Sequence, residues 1–330
     1  MGDVMKTISI VTPCYNEEDN IKECYQDVKA VFDAFLPEYK REHIFCDNAS
    51  DDSTLDILRE IAKLDPAVRI IVNSRNFGPM RSNFNGVLAA SGDAVLLFMP
   101  ADLQDPPELL PKFVALWEQG YETVYGIRAT REEGVVMRTV RSVYYRIVTT
   151  FSGLSVPPKV GDFQLADRKV VEAMRQIKDN YPFMRMMTFE CGFRSIGISY
   201  HWRGRRRGFS KNRMCNLLDQ GMNGLVTFNK FPLRIALYGG FMLSALSISM
   251  AIFNVLVEII SYQKPAAPGI MTIIIGMFFF SGVQLFFLGF MSEYVMQIYD
   301  QVRNTPRVVE RERINFPKQV DMKNGCENME

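Results

Sequence analysis

The six cysteines of this 330-residue chain show neither a CxxC spacing nor histidines beside them. The absence of both features argues against a structural zinc site and against a framework of disulfides. A reducing cytosol is therefore the simpler setting for the chain. The net charge is only +1, which by itself excludes no class of function.

Charged residues are also nearly missing from one long stretch, residues 235–298. Each of its two apolar runs is long enough to cross a bilayer, which takes roughly 20 residues. A short proline-rich turn separates the runs, so the pattern predicts a hairpin of two transmembrane helices, at about 235–262 and 270–294. The alternative is a buried helical hairpin in a soluble core. Soluble domains of this size rarely bury two consecutive uncharged helices of that length.

Basic residues flank this predicted hairpin unevenly. Arg234 precedes it and several arginines follow it, whereas the turn carries a single lysine. The positive-inside rule therefore predicts an inner (plasma) membrane protein whose large domain, residues 1–213, and tail, residues 299–330, are both cytoplasmic. Residues 214–234 have the pattern of an amphipathic juxtamembrane helix. Small residues in the spans permit close helix contacts, which favours a homo-oligomer.

Short apolar runs alternate with helical patterns in the first hundred residues. The alternation predicts an α/β fold, Rossmann-like, with a mostly parallel sheet and helices on both faces. The predicted strands are 8–12, 43–46, 68–72 and 94–99, and helical patterns run through 16–35, 54–64 and 84–90.

Polar residues follow each of these predicted strands. In doubly wound sheets the ligand lies at the carboxyl ends of the strands. The pattern therefore gathers five residues at one edge of the sheet: Pro13, Tyr15, Asp47, Arg75 and Asp102.

Several motifs, in their order and spacing, resemble the family-2 glycosyltransferases of the GT-A fold. They are TPCYNEEDNI, DNASDDST, SRNFGPMRSNFNGVLAASGD and PADLQDPPELL. The resemblance is closer to the dolichyl- and polyprenyl-phosphate glycosyltransferases, including bactoprenol glucosyltransferases. It covers nearly the whole chain through VGDFQLADRKVV, GFSKNRM, NGLVTFNKFPLR and SEYVMQIYDQVRNTP.

The resemblance implies a GT-A catalytic domain followed by the two-helix hairpin. It also implies a reaction: inverting transfer of a hexose, glucose first, from a nucleotide sugar, UDP first, to polyprenyl (undecaprenyl) phosphate. The implied partners are therefore a nucleotide sugar, a polyprenyl phosphate and membrane lipid.

The same resemblance implies roles for single residues in the donor site. Asp47 resembles the carboxylate that accepts a hydrogen bond from a base ring nitrogen, with a turn or helix-cap role as the alternative. Arg75 and Asn76 resemble a loop facing the diphosphate, with a solvated turn as the alternative for Asn76. Three residues resemble the nucleoside-binding first loop: Pro13, Tyr15 and Glu17.

A divalent metal, Mg²⁺ or Mn²⁺, suits the release of a nucleoside diphosphate, because it neutralises the charge that develops on the leaving oxygen. These ions prefer carboxylate and phosphate oxygens. Asp102 is the predicted metal ligand and one of two predicted catalytic residues. Gln104 is predicted to contact the nucleotide sugar, and either it or Asp105 could assist the metal. The family usually reads DADLQ, whereas this chain has Pro100 in place of the first aspartate.

Asp162, in GDFQLADR, is the second predicted catalytic residue, nearest the acceptor phosphate. A phosphate monoester is already ionised near neutral pH, since its second pKa is about 6. We therefore expect Asp162 to orient the acceptor or the metal shell, with base catalysis secondary. A loop cap is the alternative. Gln164 stands where the family frequently has arginine.

A basic segment precedes the predicted hairpin. Its arginines and lysine suit lipid phosphate groups at headgroup depth. A solvated basic loop is the alternative, and the position beside the hairpin argues against nucleic acid. Through the pattern Arg-x-x-Gly-x-Ser-Lys, the predicted acceptor contacts are Arg205, Ser210 and Lys211, together with Arg234.

Other functions stay open on the sequence. The same reaction could use UDP-N-acetylhexosamine, a UDP-pentose or GDP-mannose. Pro100 also permits a catalytically silent membrane scaffold. A processive polysaccharide synthase is disfavoured, because no Gln-x-x-Arg-Trp segment occurs and two spans are too few for a polymer channel. Two spans equally disfavour a transporter.

Overall fold

A computed structural model describes residues 5–128, 157, 160–204, 270–303 and 305–317, together with scattered positions between 238 and 256. The chain divides into two compact units. The described residues up to 204 and those from 305 to 317 belong to the first unit, and residues 270–303 belong to the second.

The first unit is built on one eight-stranded sheet, in the order β7-β5-β6-β4-β1-β2-β3-β8. Strands β1 to β4 are mutually parallel, while β4–β6, β5–β6 and β3–β8 are antiparallel pairs. The strands are β1 Thr7–Cys14, β2 Lys40–Asp47, β3 Val68–Asn73, β4 Ala94–Leu96, β5 Thr123–Arg128, β6 Val160–Asp167, β7 Ser195–Tyr200 and β8 Glu310–Ile314.

Helices cover both faces of this sheet. Apolar residues of α1, α2 and α4 pack on one face, and those of α3, α5 and α6 pack on the other. The helices are α1 Ile21–Phe35, α2 Thr54–Leu64, α3 Pro79–Ala89, a 3₁₀ turn Pro107–Leu109, α4 Leu110–Glu118, α5 Arg168–Gln176 and α6 Met184–Glu190.

The predicted α/β class and mostly parallel sheet are confirmed. The four predicted strands correspond to β1–β4, although β4 ends at Leu96 rather than at residue 99. Leu97 still donates its backbone N–H to Gln164, so the chain stays beside β6 as it leaves the strand. The sequence did not predict β5–β8. Residues 160–167, which include Asp162, form β6, an inner strand that is buried along most of its length.

The second unit contains the helix α7, Ile270–Val302, which is 33 residues long and extends past the predicted end at 294. Among the described residues it holds one stretch long and apolar enough to cross a membrane, Phe279–Val302. Described positions between 238 and 256 are helical, and the rest of the predicted first span lies outside the described residues, as does the predicted juxtamembrane helix.

Candidate active site

The parallel strands bring the predicted donor-site residues to one edge of the sheet. We call it the carboxyl edge, where β1 to β4 end at Cys14, Asp47, Asn73 and Leu96. Cys14 pairs with Asp47, so the loops after β1 and β2 start side by side. Strands β2 and β4 flank β1, and two strand spacings amount to about 10 Å. The loops carrying Asp47 and Asp102 therefore lie on either side of the loop that carries Tyr15.

Asp47 is the last residue of β2, and its side chain is fully buried. Its Oδ2 accepts the backbone N–H of Ser50 at 3.3 Å, so the residue does serve the turn. Its Oδ1 has no hydrogen-bond partner among the residues that the structure describes. Burial raises the pKa of Asp47, and hydrogen bonds from Ser50 oppose that shift. A buried carboxylate oxygen without a protein donor is suited to receive an N–H group from a ligand.

The first loop places its three predicted residues beside Asp47. Pro13 and Tyr15 are half-buried. The carboxylate of Glu17 accepts a hydrogen bond from the side-chain amide of Asn20 at 2.7 Å. Its backbone N–H donates to Thr54 at 2.8 Å. Glu17 therefore links the start of α1 to the start of α2, a structural role that is separate from the predicted binding of a nucleoside.

Amide side chains connect the loops after β2 and β3. Asn76 accepts hydrogen bonds from the amide of Asn48 at 2.8 Å and from the N–H of Gly78 at 2.9 Å. Arg75 is exposed, and its guanidinium lies over the Phe77 ring, 4.0 Å from the centroid. Asn76 thus fixes the position of the loop that presents Arg75.

Asp102 lies in the loop after β4 and is 9% exposed. Its Oδ1 accepts the backbone N–H of Gln104 at 3.3 Å. Gln104 is half-buried, and its carbonyl accepts the backbone N–H of Arg203 at 3.1 Å. The loop is therefore held both internally and by the chain that follows β7.

Backbone strain is concentrated at the carboxyl edge. Asn16, Ala49 and Leu103 have φ angles of 52°, 60° and 55°, in the loops after β1, β2 and β4. Asparagine tolerates a left-handed φ, but alanine and leucine are strained there, and residues held this way cluster at ligand sites. The strain at Ala49 and Leu103 supports the assignment of the loops after β2 and β4 to a binding site.

Asp105 belongs to a buried cluster that the sequence did not predict. Arg128, at the end of β5, donates two hydrogen bonds to its carboxylate, at 3.0 and 3.2 Å. The hydroxyl of Tyr200, at the end of β7, donates to Asp105 and accepts from Arg128. Burial raises the pKa of Tyr200, as does Asp105, so the hydroxyl keeps its proton. Burial lowers the pKa of Arg128, but Asp105 and Tyr200 outweigh that effect and raise it overall.

Asp162 reaches the same edge, because β6 runs antiparallel to β4 and begins where β4 ends. Arg185 on α6 donates to both of its carboxylate oxygens, at 3.2 and 2.5 Å. One guanidinium therefore holds both carboxylate oxygens, an arrangement that suits an orienting role.

Gln164, which stands where the family frequently has arginine, has a structural role in this chain. Its amide donates to the carbonyl of Gly161 at 3.0 Å and accepts from Thr188 at 2.8 Å. Gln164 thereby ties β6 to α6, the helix that carries Arg185. A guanidinium is present near Asp162, although it comes from a different element.

The sequence missed Arg128, Tyr200 and Arg185. The alternating run before Arg128 could have indicated β5, but no sequence signal showed which carboxylates these residues meet. The predicted acceptor contacts Arg205, Ser210, Lys211 and Arg234 lie outside the described residues.

The carboxylates at the carboxyl edge suit a metal ion that is held mainly by the phosphates of the substrate. No cluster of three or more His, Cys, Asp or Glu side chains able to hold an ion occurs in the described part of the chain. Mg²⁺ and Mn²⁺ are commonly held by one or two carboxylates plus substrate phosphates. Asp102 fits that pattern, whereas Asp105 is occupied by Arg128 and Tyr200.

Comparison with known proteins agrees with this geometry. Residues 9–175 match the model of Glycosyl transferase family 2. The chain is 34% identical to an uncharacterized glycosyltransferase of Bacillus subtilis, over 90% of this chain and 91% of the relative. It is 30% identical to a prophage-derived bactoprenol glucosyl transferase of Shigella flexneri, over 92% and 96%.

A solved structure of glucosyl-3-phosphoglycerate synthase from Mycobacterium tuberculosis, in complex with Mn²⁺, UDP and glucosyl-3-phosphoglycerate, is also similar. It is 20% identical, with a TM-score of 0.45 over 67% of this chain and 78% of that one.

Proposed function

Because this chain belongs to glycosyl transferase family 2, we propose that it transfers a hexose, glucose first, from a UDP-sugar to a polyprenyl phosphate. Relatives named bactoprenol glucosyl transferase, similar over 96 to 99% of their length, support a lipid phosphate as the acceptor. The chemistry of the carboxyl edge supports a nucleotide sugar as the donor.

The observation that carries the donor assignment is the buried Oδ1 of Asp47, which receives no hydrogen bond from the described residues and lies two strands away from the loop of Asp102. A carboxylate there accepts the ring N–H of uracil or guanine, and adenine has no such group to donate. The separation of about 10 Å allows a nucleoside to lie across the loop after β1, with its diphosphate at Asp102. UDP is the first candidate and GDP the second.

The reaction is a single displacement. An oxygen of the acceptor phosphate attacks the anomeric carbon, the bond from that carbon to the UDP oxygen breaks, and the configuration inverts. The products are a polyprenyl-phosphate sugar and UDP. No proton has to leave the acceptor, because the phosphate monoester is already ionised at neutral pH.

The proposed site residues divide this work. Asp102 would hold the ion, Mg²⁺ or Mn²⁺, which would supply neutralising charge for the departing diphosphate. Asp162, fixed by Arg185, orients the acceptor phosphate. Arg75 and Gln104 face the donor from the loops after β3 and β4. Arg205, Ser210, Lys211 and Arg234 are proposed to hold the lipid phosphate.

Two features support action at a membrane surface. The long helix α7 carries apolar side chains that are mostly exposed, such as Leu285 at 68% and Phe286 at 62%, and lipid is a suitable solvent for them. The chain also leaves the sheet unit after β7 and returns to it in β8. If the intervening residues cross a membrane, they therefore cross it an even number of times. This is compatible with the proposed two-span hairpin, and the positive-inside rule is what assigns both termini to the cytoplasm.

The test is incubation of purified full-length protein with labelled UDP-glucose, UDP-N-acetylglucosamine, a UDP-pentose and GDP-mannose. Undecaprenyl phosphate in vesicles and Mg²⁺ or Mn²⁺ complete the mixture. We expect labelled lipid and free nucleoside diphosphate from one donor above the others. Asp102→Ala should lower the rate at least about 100-fold, the scale of losing one group that stabilises transition-state charge. Asp56→Ala, a change at an exposed aspartate on α2, is the matched control.

The outcomes separate the alternatives. A catalytically silent scaffold, suggested by Pro100, gives neither lipid product nor nucleotide release with any donor. Release of nucleotide without lipid product would overturn the proposed acceptor and leave the donor assignment standing. Product from UDP-N-acetylhexosamine or GDP-mannose would replace glucose while keeping the reaction class.

A further inference from the structure

The loop that carries Asp102 is fastened to the rest of the sheet through Asp105. This aspartate is 1% exposed, and its carboxylate contacts Arg128 and Tyr200, two residues at the ends of strands. Arg128 donates to Tyr200 as well, at 3.2 Å, so the three polar groups form a closed cycle. Removing one member leaves the others buried and incompletely satisfied.

The same loop also contacts the chain that follows β7. The N–H of Arg203 donates to the carbonyl of Gln104, and its guanidinium donates to Glu108 at 3.2 Å. Arg203 is also the first residue of the basic segment, residues 203–213. A single polar cluster therefore fixes two parts of the chain: the loop with the proposed metal ligand, and the origin of the segment proposed to hold the acceptor phosphate.

We propose that Asp105 is a positioning residue, which Arg128 and Tyr200 clamp so that Asp102 and the start of the basic segment keep a fixed separation. The inference rests on the proposed transferase function. It reassigns Asp105 from a helper of the metal to a residue that sets where the metal ligand stands. Its carboxylate oxygens are engaged by a guanidinium and a phenol, so it contributes geometry and no direct contact to the donor.

Tyr200→Phe tests this with little disturbance of packing. The Tyr200 ring packs tightly over Gly126, where an added Cβ would lie 2.6 Å from a ring carbon, and it contacts Phe163. Phenylalanine keeps those contacts and removes only the hydroxyl.

The chain offers a matched control at the opposite edge of the sheet. Tyr25 donates to Asp65 at 2.9 Å, and Arg41 also pairs with Asp65, so the same three residue types meet there. Tyr25→Phe removes an equivalent hydroxyl where the strands begin, far from the loop of Asp102. A general effect of losing a Tyr–Asp hydrogen bond appears in both variants.

Three readouts are taken on the full-length protein: amide hydrogen exchange of residues 100–106 and 200–204, the affinity for UDP with Mn²⁺ by calorimetry, and transfer kinetics. For Tyr200→Phe we expect faster exchange in both segments and about tenfold or more weaker Mn²⁺–UDP binding. We also expect a lower kcat at saturating donor. Tyr25→Phe should change none of these. Asp105→Asn should act in the same direction more strongly, because it leaves the buried guanidinium of Arg128 without that counter-charge.

Unchanged exchange at residues 100–106 in Tyr200→Phe would overturn the proposal, whatever the activity. Faster exchange with unchanged Mn²⁺–UDP affinity and kcat would also overturn it, since the cluster would then be merely structural. If the wild-type protein binds Mn²⁺–UDP but labels no lipid, only the proposed acceptor is wrong. The positioning role of Asp105 is then tested by hydrogen exchange and by the affinity for Mn²⁺–UDP. A wild-type protein that binds no nucleotide sinks both.

Discussion

Several single residues at the carboxyl edge have features that reduce the stability of the fold. Asp47 is buried with one oxygen lacking a donor among the described residues, and Ala49 and Leu103 are held at left-handed φ values. Such features lower stability, and proteins keep them where a ligand relieves or needs them. Substitutions at these positions should therefore separate stability from binding.

Asp47→Asn is the first such substitution. In wild type the ionised carboxylate accepts a base N–H more strongly than the protonated acid does. Because burial raises its pKa, UDP affinity should begin to fall on acidification at a higher pH than for an ordinary aspartate. The variant should bind UDP about tenfold or more weakly, without that pH dependence. Calorimetry over a pH series measures both, and Asp51→Asn, an exposed neighbour, is the control.

The same variant has a predicted effect on stability. Folding raises the pKa of Asp47, so this group favours the folded state at low pH. That contribution is lost as pH rises through the folded pKa. At neutral pH the buried charge is therefore a cost, and Asp47→Asn should unfold at a temperature no lower than wild type. A clearly lower melting temperature would show that the carboxylate is a structural requirement.

Ala49→Gly tests the strain directly. A left-handed conformation costs a residue with a Cβ roughly 1–2 kcal/mol, and glycine removes that cost while losing about 0.5–1 kcal/mol to chain entropy. We expect a small gain in the free energy of unfolding. Ala34→Gly, at an exposed position of α1, should instead destabilise by about 0.5–1 kcal/mol. Equal losses in both variants would contradict the strain at Ala49.

At the level of elements, the strand β8, which follows the predicted hairpin in the sequence, is the last strand at one edge of the sheet. It covers the edge of β3, and Glu310 accepts from Asn85 at 2.6 Å. Asn315, just after the strand, donates to the carbonyls of Ala62 and Val68 at 2.7 and 2.9 Å. Charged residues at 310–313 in turn make β8 an edge that resists further pairing. Arg311 and Arg313, two of the arginines that follow the predicted hairpin, therefore belong to a strand of the sheet.

Asn315 lets this attachment be measured. Its φ is 61°, a conformation that asparagine and glycine tolerate. Asn315→Gly removes only the amide hydrogen bonds and should lower the melting temperature. Asn315→Ala removes the same hydrogen bonds but, unlike glycine, keeps a Cβ at left-handed φ without the polar group that lets asparagine tolerate it. It should therefore lower the melting temperature further, with a total cost of about 2–4 kcal/mol. Thermal unfolding of both variants in detergent gives the order, and equal melting temperatures would argue that backbone conformation plays no part.

At the scale of the whole molecule, two units of different chemistry share one chain. The sheet unit buries its large apolar side chains in three clusters, whereas α7 exposes its own. Exposure on that scale indicates a lipid or a protein partner. The proposed function requires lipid, because the acceptor is carried on a polyprenyl chain.

Leu285→Arg distinguishes a membrane span from an exposed soluble helix. An arginine near the centre of a bilayer costs about 2.5–3.5 kcal/mol on insertion scales. We therefore expect less protein in the carbonate-resistant membrane fraction. Leu64→Arg, at a position 86% exposed on α2, should leave the distribution unchanged. If Leu285→Arg only improves solubility and the protein is found outside the membrane in both cases, α7 does not span.

Local sequence signals were enough to predict the sheet class, strands β1–β4, and the edge of the sheet to which Pro13, Tyr15, Asp47, Arg75 and Asp102 belong. These follow from local signals, because buried parallel strands are continuous apolar runs and their carboxyl ends meet by topology. The apolar character of residues 270–294 is equally local.

Contacts between residues far apart in the chain could be identified only from the folded structure. Arg128 and Tyr200 reach Asp105, Arg185 reaches Asp162, and β8 joins β3 from more than 200 residues away. Neither hydrophobic periodicity nor motif spacing encodes such pairs, because they depend on strand order and register. The residues that surround Asp105 and Asp162 therefore became visible only in the folded chain, and a carboxylate's properties depend on the groups around it.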